Sequence, residues 1–257
     1  MSDRLTPEDG LVWITGASSG IGRALALDFC RRGFTVIATA RNESMLSELS
    51  ASATTSSGRI IPAACDITEA KAINHLIQGI EAQYGPINLA ILNAGIYIPV
   101  KGSDFKPDIF HKTFSINLGG TVNCLATILP GMKQKGKGHI AITASVTGYA
   151  GLPLSSAYGA TKAGLINMAE SLKFDLDQMG IKIQIINPGF VETPATAGND
   201  FPMPFIITPQ KAADYIWHGL HSNGFEITFP KRFTYLLKLL KLLPYCLYFP
   251  LIKKKTL

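Results

Sequence analysis

The sequence is poor in charge, cysteine and histidine. Charged residues make up only 16% of the 257 residues, whereas hydrophobic residues make up 47%. The four cysteines (Cys30, Cys65, Cys124 and Cys246) form no CxxC pair, and neither they nor the five histidines are spaced like metal ligands. These absences exclude a disulfide scaffold and predict a reducing compartment and no metal site. The length and the hydrophobic content of the chain are sufficient to bury a sizeable core.

Several other features are missing along the chain. The first ten residues are polar and acidic where a signal peptide needs a basic start and an apolar run, so we expect a cytoplasmic location. No repeat or low-complexity linker interrupts the first 230 residues, which predicts one domain. Residues 231–257 contain no acid and seven lysines and arginines, leaving 17 basic against 18 acidic residues elsewhere. A neutral body argues against a nucleic-acid partner.

Short apolar runs alternate with longer helical patterns. The strand-sized runs lie at 11–15, 35–39, 60–65, 87–92, 139–143, 181–186 and 225–229. Helical spacing occupies 20–32, 42–50, 68–83, 107–134, 155–179 and 208–222. This alternation predicts an α/β fold with a doubly wound parallel sheet covered by helices on both sides, and a ligand site at the carboxyl ends of the strands.

A glycine-rich turn follows the first strand. It reads Thr15-Gly16-Ala17-Ser18-Ser19-Gly20-Ile21-Gly22 and leads into a helix. Glycines let the backbone approach a pyrophosphate, and the helix N-terminus offers free N–H groups. Residues 16–20 also match the GxSxG elbow of hydrolases, but an elbow needs an oxyanion loop from an earlier strand, and this turn follows the first strand, which leaves none. Dinucleotide binding is therefore the favoured interpretation.

The second strand ends in Thr39-Ala40-Arg41, and no acid is present at that point. At this point of a dinucleotide fold an acid favours NAD, whereas an arginine can hold the 2′-phosphate of NADP. The position favours NADP over NAD as the cofactor. A solvated arginine at the start of a helix is the structural alternative.

Ser145 follows the fifth strand, and Tyr158 and Lys162 lie one helical turn apart in the next helix. An ammonium group near a tyrosine favours the phenolate and can lower its pKa, while a serine hydroxyl can polarise a carbonyl. This pattern predicts hydride transfer assisted by proton transfer, with Tyr158 as general acid/base. A tyrosine and a lysine at this spacing more often belong to an ordinary amphipathic helix without a catalytic role. Here the pair follows the glycine turn and the serine in the chain, and this order supports a catalytic role.

From about residue 10 to about residue 230 the sequence resembles the short-chain dehydrogenase/reductase family. The resemblance implies a Rossmann-type sheet of seven parallel strands in the order 3-2-1-4-5-6-7 and a reaction that interconverts a carbonyl and an alcohol. It implies a catalytic tetrad of Asn117, Ser145, Tyr158 and Lys162. Its implied cofactor contacts are Thr15, Gly16, Ser18, Ser19, Gly20, Ile21, Gly22, Arg41, Asp66, Asn93, Ala94, Gly95, Tyr158, Lys162, Pro188, Gly189, Val191 and Thr193.

The expected substrate loops, at 96–100, 146–154 and 190–207, are strongly apolar. They suggest a hydrophobic carbonyl or alcohol as substrate, and residues 201–207 could form a lid. We divide the chain into an NADP-binding catalytic domain at 1–230 and a basic, apolar C-terminal tail at 231–257.

The tail admits two interpretations. It interleaves leucines with lysines, and two prolines and two lysines argue against a membrane-spanning helix. It can lie on an anionic membrane surface, which would place the protein on the inner face of a membrane, or it can pack on the domain or on a second subunit of a homo-oligomer. The rival functional hypothesis is a catalytically silent NADP-binding scaffold at a membrane, although the intact Tyr158 and Lys162 count against it.

Overall fold

The computed structural model describes residues 5–256, with side chains as far as residue 253. The strands are β1 (Leu11–Thr15), β2 (Thr35–Ala40), β3 (Arg59–Ala64), β4 (Ile87–Leu92), β5 (Gly138–Thr143), β6 (Ile181–Pro188) and β7 (Glu226–Phe229). The α-helices are α1 (Gly20–Arg31), α2 (Glu43–Ala51), α3 (Ala70–Tyr84), α4 (Pro107–Phe114), α5 (Gly120–Lys135), α6 (Ser156–Gln178), α7 (Pro209–Leu220), α8 (Lys231–Lys241) and α9 (Tyr245–Thr256).

The seven strands form one parallel sheet in the order β3-β2-β1-β4-β5-β6-β7. The predicted fold class and strand order are confirmed. The chain leaves β1 toward β2 and β3, then returns to the other side of β1 with β4. The carboxyl ends of β1 and β4 are therefore the topological switch point, where α/β sheets of this kind bind ligands.

Both faces of the sheet are covered by helices. One apolar cluster joins the sheet to α1, α2 and α7, and includes Phe29, Phe34 and Leu46. The other joins it to α3, α5 and α6, and includes Trp13 and Ile73. Strands that are buried on both faces have continuous apolar sequences, which explains why the strands could be predicted from the sequence.

The predicted helix over 107–134 is interrupted. Ser115–Gly119 forms a π-helical turn between α4 and α5. A π turn adds a residue to one helical turn and often lies at a functional site. Its position matters because it contains Asn117, and helical periodicity in the sequence cannot distinguish such a turn from regular helix.

The predicted tail forms two helices, α8 and α9, which we call the C-terminal hairpin. The Lys238 ammonium contacts the Glu226 carboxylate of β7, and the Tyr248 hydroxyl donates a 2.8 Å hydrogen bond to the Gly151 carbonyl. Among the residues described, no helix is long and apolar enough to cross a membrane. The side chains of Lys254 and Lys255 at the predicted basic end, and the first four residues of the polar N-terminal segment, lie outside the described part.

Candidate active site

The turn between β1 and α1 is built from glycine conformations. Gly16 and Gly20 have φ values of +67° and +53°, which favour glycine strongly. A Cβ atom on Gly22 would lie 2.2 Å from the Gly16 carbonyl oxygen, and one on Gly20 would lie 2.9 Å from Thr193 Cγ2. The turn therefore packs on itself and on the segment after β6, with no space for larger residues.

The N-terminus of α1 fits the phosphates of a dinucleotide. Its N-cap, Ser19, has extended backbone, and within the described structure the Ser19 side chain makes no capping hydrogen bond. N–H groups and the positive end of the helix dipole remain available for an anion. Ser19, Gly20 and Ile21 line the large cleft at the carboxyl end of the sheet, and Ser18 lies just before them in the turn.

Two of the predicted cofactor residues lie farther out, beyond β2 and β3. The Arg41 guanidinium is 66% exposed, and its Nη1 atom lies 4.0 Å from Asp66 Oδ2. Asp66 is held in place because its Oδ1 atom accepts hydrogen bonds from the Thr68 amide (2.9 Å) and hydroxyl (2.8 Å). An oriented carboxylate and an exposed guanidinium therefore lie side by side where an adenosine ribose would lie.

The Asn93-Ala94-Gly95 segment ties β4 to β1. The Thr15 hydroxyl accepts hydrogen bonds from the Asn93 and Ala94 amides, both at 3.0 Å. Asn93 Nδ2 donates to the Thr15 carbonyl at 3.2 Å. Gly95 ends the segment, and a Cβ there would lie 3.2 Å from Asn117 Oδ1 and 3.4 Å from Lys162 Nζ. The segment thus joins the glycine turn to the predicted catalytic residues.

Asn117 is fully buried on the π-helical turn. Its side chain pairs with both backbone groups of Ile96, accepting at 2.8 Å and donating at 3.0 Å, and it donates to the Thr161 hydroxyl at 3.1 Å. Asn117 therefore fixes the loop after β4 against α6. Because the same helix carries Tyr158 and Lys162, this contact positions the predicted proton-transferring pair.

Ser145, Tyr158 and Lys162 meet in the cleft. The Ser145 Oγ atom accepts from the Thr147 amide at 3.2 Å. Lys162 Nζ lies 5.3 Å from the centroid of the Tyr158 ring and donates a 2.8 Å hydrogen bond to the Thr143 carbonyl at the end of β5. A hydroxyl, a phenol and an ammonium group are thus gathered around one point at the edge of the sheet.

Burial dominates the acid–base properties of this group. It raises the pKa of Tyr158 to about 12, an increase that hydrogen bonding to Ser145 opposes, and it lowers the pKa of Lys162 to about 8. The sequence led us to expect a lowered tyrosine pKa. The difference arises because the same burial that brings Lys162 to Tyr158 also removes water from the phenol. In this state Tyr158 is a proton donor at neutral pH.

Three further residues of the site were missed in the sequence. The ring of Tyr97 packs edge-on against Tyr158, with centroids 5.2 Å apart. Burial also raises the pKa of Tyr97. The other two are Thr143, whose carbonyl holds Lys162, and Thr161, whose hydroxyl holds Asn117. Only Tyr97 carried a usable signal, as an aromatic residue in the loop directly after Asn93-Ala94-Gly95.

The remaining predicted cofactor residues lie at the end of β6 and directly after it. Pro188, Gly189, Val191 and Thr193 all line the same cleft. Thr193 is held by a 3.0 Å hydrogen bond from its amide to the Thr196 hydroxyl, and Val191 bridges in parallel to Ile207. This arrangement brings the segment against the glycine turn, so that both line one wall. None of the described histidines lines the cleft, which leaves the hydrolase alternative without a base.

The cleft itself has a volume of roughly 1340 Å³. Beyond Ser145 and Tyr158 its walls are mostly apolar, and they come from the loops after β4, β5 and β6. The C-terminal hairpin completes the walls with Phe233, Leu236, Leu237, Leu240 and Ile252. A Cβ on Gly189 would lie 2.9 Å from the Phe233 ring, so the hairpin packs directly on the predicted cofactor segment.

Comparison with known proteins agrees with this geometry. The family model for the short chain dehydrogenases matches residues 11–201. The chain belongs to the short-chain dehydrogenase family. An uncharacterized oxidoreductase of Myxococcus xanthus is 33% identical to this short-chain dehydrogenase over 231 residues, which cover 90% of this chain and 91% of the relative. The predicted family and the prediction of an enzyme are confirmed.

Solved structures give the same result for this short-chain dehydrogenase. One is a short-chain dehydrogenase from Sphingobium yanoikuyae in complex with NADPH, with a TM-score of 0.79, 26% identity and coverage of 88% of this chain and 92% of that one. Another is a 3-oxoacyl-[acyl-carrier protein] reductase from Brucella melitensis with bound NAD, with a TM-score of 0.77, 28% identity and the same coverages. Both nicotinamide cofactors thus occur among similar proteins, and the family assignment alone shows an NAD(P)-dependent oxidoreductase.

Proposed function

We propose that this short-chain dehydrogenase is an NADP(H)-dependent oxidoreductase that interconverts a carbonyl and an alcohol on a hydrophobic substrate. The observation that carries the proposal is the shared cleft. The Ser145–Tyr158–Lys162 group stands between a glycine-built anion site and an apolar chamber. A bound reduced nicotinamide would supply the hydride to the carbonyl carbon.

The chain's own residues supply the proton and the orientation. Ser145 donates a hydrogen bond to the substrate oxygen, which polarises the carbonyl. Tyr158, protonated at neutral pH, gives its proton to the same oxygen as the alcohol forms. Lys162, held by the Thr143 carbonyl, faces the phenolate that is left and stabilises it electrostatically.

NADP as the preferred cofactor rests on Arg41. No acid occupies the end of β2, and the Arg41 guanidinium is mostly exposed, with Asp66 at the limit of ion-pair distance. A guanidinium in this state can turn to a 2′-phosphate and bind it with two hydrogen bonds. The NADPH complex of the similar Sphingobium protein agrees with this preference, although the Brucella protein holds NAD.

A hydrophobic substrate is supported by the chamber walls. Leu152, Leu154, Phe190, Leu237 and Leu240 face the cleft, and desolvation favours an apolar chain among such side chains. The similar Brucella protein is named as a reductase of a 3-oxoacyl group, a carbonyl on an acyl chain. A long-chain carbonyl compound is therefore the substrate class we would test first.

The test is turnover of the purified protein with NADPH or NADH and a panel of short and long-chain carbonyl compounds, for the parent and for Tyr158→Phe. We expect NADPH-dependent reduction that favours long chains. Loss of the phenol should lower turnover by at least about a thousandfold, because the proton donor is gone. NADPH fluorescence checks that binding is retained.

Unchanged turnover in Tyr158→Phe would exclude the mechanism. Tight NADPH binding by the parent without turnover on any compound would instead support the scaffold hypothesis.

A further inference from the structure

The C-terminal hairpin presents two different faces. Its inner face packs on the domain, where Phe233 is buried and Leu237, Leu240 and Ile252 line the cleft. Lys238 is held by Glu226, which also contacts the Tyr149 hydroxyl and Asn187 Nδ2. The opposite, outer face is exposed to solvent and is strongly apolar.

Exposed apolar side chains are concentrated in the C-terminal hairpin. Half of the large hydrophobic residues exposed in the described structure lie in this short segment: Tyr235, Leu236, Leu239, Leu242, Tyr245, Leu247, Phe249 and Leu251. Leu242 and Tyr245 are 79% and 77% exposed. Tyr235, Leu239 and Leu242 follow one another at helical spacing and form one stripe. An exposed apolar stripe of this kind, in a segment this rich in exposed apolar side chains, marks an interaction site.

The positive charge of the segment favours an anionic partner. Residues 231–257 contain seven lysines and arginines and no acid. Of these, Lys231, Arg232, Lys241 and Lys253 have exposed side chains. Leucine and tyrosine beside exposed cations match the boundary between anionic headgroups and acyl chains. A second copy matches less well, because a twofold interface would place the same basic surface on both sides.

We propose that the outer face of the C-terminal hairpin docks on an anionic lipid bilayer and that a lipid-soluble substrate passes from the bilayer into the cleft beside it. Leu236 makes the connection, since it is 40% exposed and also lines the cleft. The mouth of the cleft therefore lies at the rim of the docking face. The second half of this inference rests on the proposed function; the first half does not.

The experiment is flotation of the full-length protein with phosphatidylcholine vesicles, with or without about one-third phosphatidylglycerol. We expect binding to the anionic vesicles at least about tenfold above binding to phosphatidylcholine alone, and loss of that binding in high salt. Charge reversal by Arg232→Glu with Lys241→Glu should remove most of the bound fraction. Leu239→Gln with Leu242→Gln should do the same by removing the apolar stripe.

Matched controls lie elsewhere on the surface. Phe174 is 76% exposed on α6, and Lys133 and Lys135 are exposed on α5. Lys133→Glu with Lys135→Glu makes the same change in charge, and Phe174→Gln removes one exposed apolar side chain; both should leave flotation unchanged. Circular dichroism of each variant verifies folding.

Equal flotation of the hairpin variants and the parent, or no flotation of the parent, would overturn the docking proposal. So would a parent dimer that the leucine variant converts to monomer in light scattering, because the face would then be a subunit interface.

Turnover measurements test substrate transfer separately from membrane docking. The hairpin variants should reduce a long-chain aldehyde dissolved in anionic vesicles several-fold more slowly than the parent, and a short water-soluble aldehyde at the parental rate. A protein that floats but reduces neither aldehyde would refute the proposed function and leave docking intact.

Discussion

One end of the cleft is formed mainly by backbone groups and the other by side chains. The end at β1 and α1 is made mainly of backbone, with glycines of positive φ and free N–H groups, and one side chain, the Thr15 hydroxyl, accepts hydrogen bonds from the Asn93 and Ala94 amides there. The opposite end is made of side chains that come from three loops and the C-terminal hairpin. A backbone site demands particular residues at particular spacings, whereas a side-chain wall demands only apolar volume. We expect the first to tolerate almost no change and the second to tolerate much.

After Tyr158, the largest effect is expected at Lys162, between the two ends. Burial lowers its pKa to about 8 from 10.5, so folding disfavours its charged form at neutral pH by roughly 3 kcal/mol. Lys162→Met should lower turnover at least about a hundredfold. It should also raise the free energy of unfolding at pH 7 by about 2 kcal/mol, less than the full penalty because the Thr143 carbonyl loses its donor.

The stability gain should shrink as the pH rises through 8 toward 10.5, where the parental lysine is neutral when folded and then also when unfolded. Urea unfolding of parent and variant at pH 7 and pH 10 measures this. A variant that is less stable than the parent at pH 7 would show that the ammonium group stabilises the fold.

At the backbone end, Gly22→Ala should lower dinucleotide affinity about a hundredfold and destabilise the fold by about 2 kcal/mol, because its Cβ would lie 2.2 Å from a backbone oxygen. NADPH titration and urea unfolding measure the two effects. Gly79→Ala on α3 is the matched control, since in the described structure nothing beyond its chain neighbours and the nearby backbone of its own helix lies within 4 Å of the added methyl group; it should stabilise the helix by about 0.5–1 kcal/mol. If the two variants had the same NADPH affinity and the same stability, the backbone end of the cleft would not be as intolerant of change as we expect.

Arg41 lies at the edge of the backbone end but acts through its side chain. Arg41→Ala should weaken NADPH binding about tenfold to thirtyfold and leave NADH binding nearly unchanged, because only the 2′-phosphate loses its partner. Parallel titrations with both cofactors give the ratio. An equal loss for the two would mean that Arg41 does not discriminate between them.

The smallest effect is expected in the apolar wall. Leu240→Ala should raise the KM for a long-chain carbonyl about fivefold and change that for a short one little, since only the long chain reaches the hairpin. Leu239→Ala provides the comparison in detergent-free solution without lipid, because Leu239 is 63% exposed and points away from the cleft. If both variants behaved alike, the hairpin would not contact the substrate.

The same contrast explains what could be predicted from the sequence. The strands were visible because both faces of the sheet are buried, and the glycine turn was visible because its backbone geometry restricts the residues allowed. The strand order came with the family resemblance. The π-helical turn around Asn117 was missed because one extra residue in a helical turn leaves no trace in periodicity over 107–134.

The roles of Thr161 and Phe233 could not be predicted for another reason. Each acts on a residue more than forty positions away, Thr161 on Asn117 and Phe233 on Gly189. Such contacts depend on how helices pack against the sheet, and no local pattern records them. The raised pKa of Tyr158 is of the same kind, because it reflects how much water the assembled walls exclude.

The strand order is compatible with assembly of the sheet while the chain is being synthesised. β2 adds beside β1 and β3 beside β2, and then each strand from β4 to β7 adds to an edge that an earlier strand has already formed. No strand has to insert between two others, so the sheet can assemble in the order of translation. The hairpin that walls the cleft follows β7. Nascent chains would therefore hold a nucleotide-binding surface before they hold an enclosed space for the substrate.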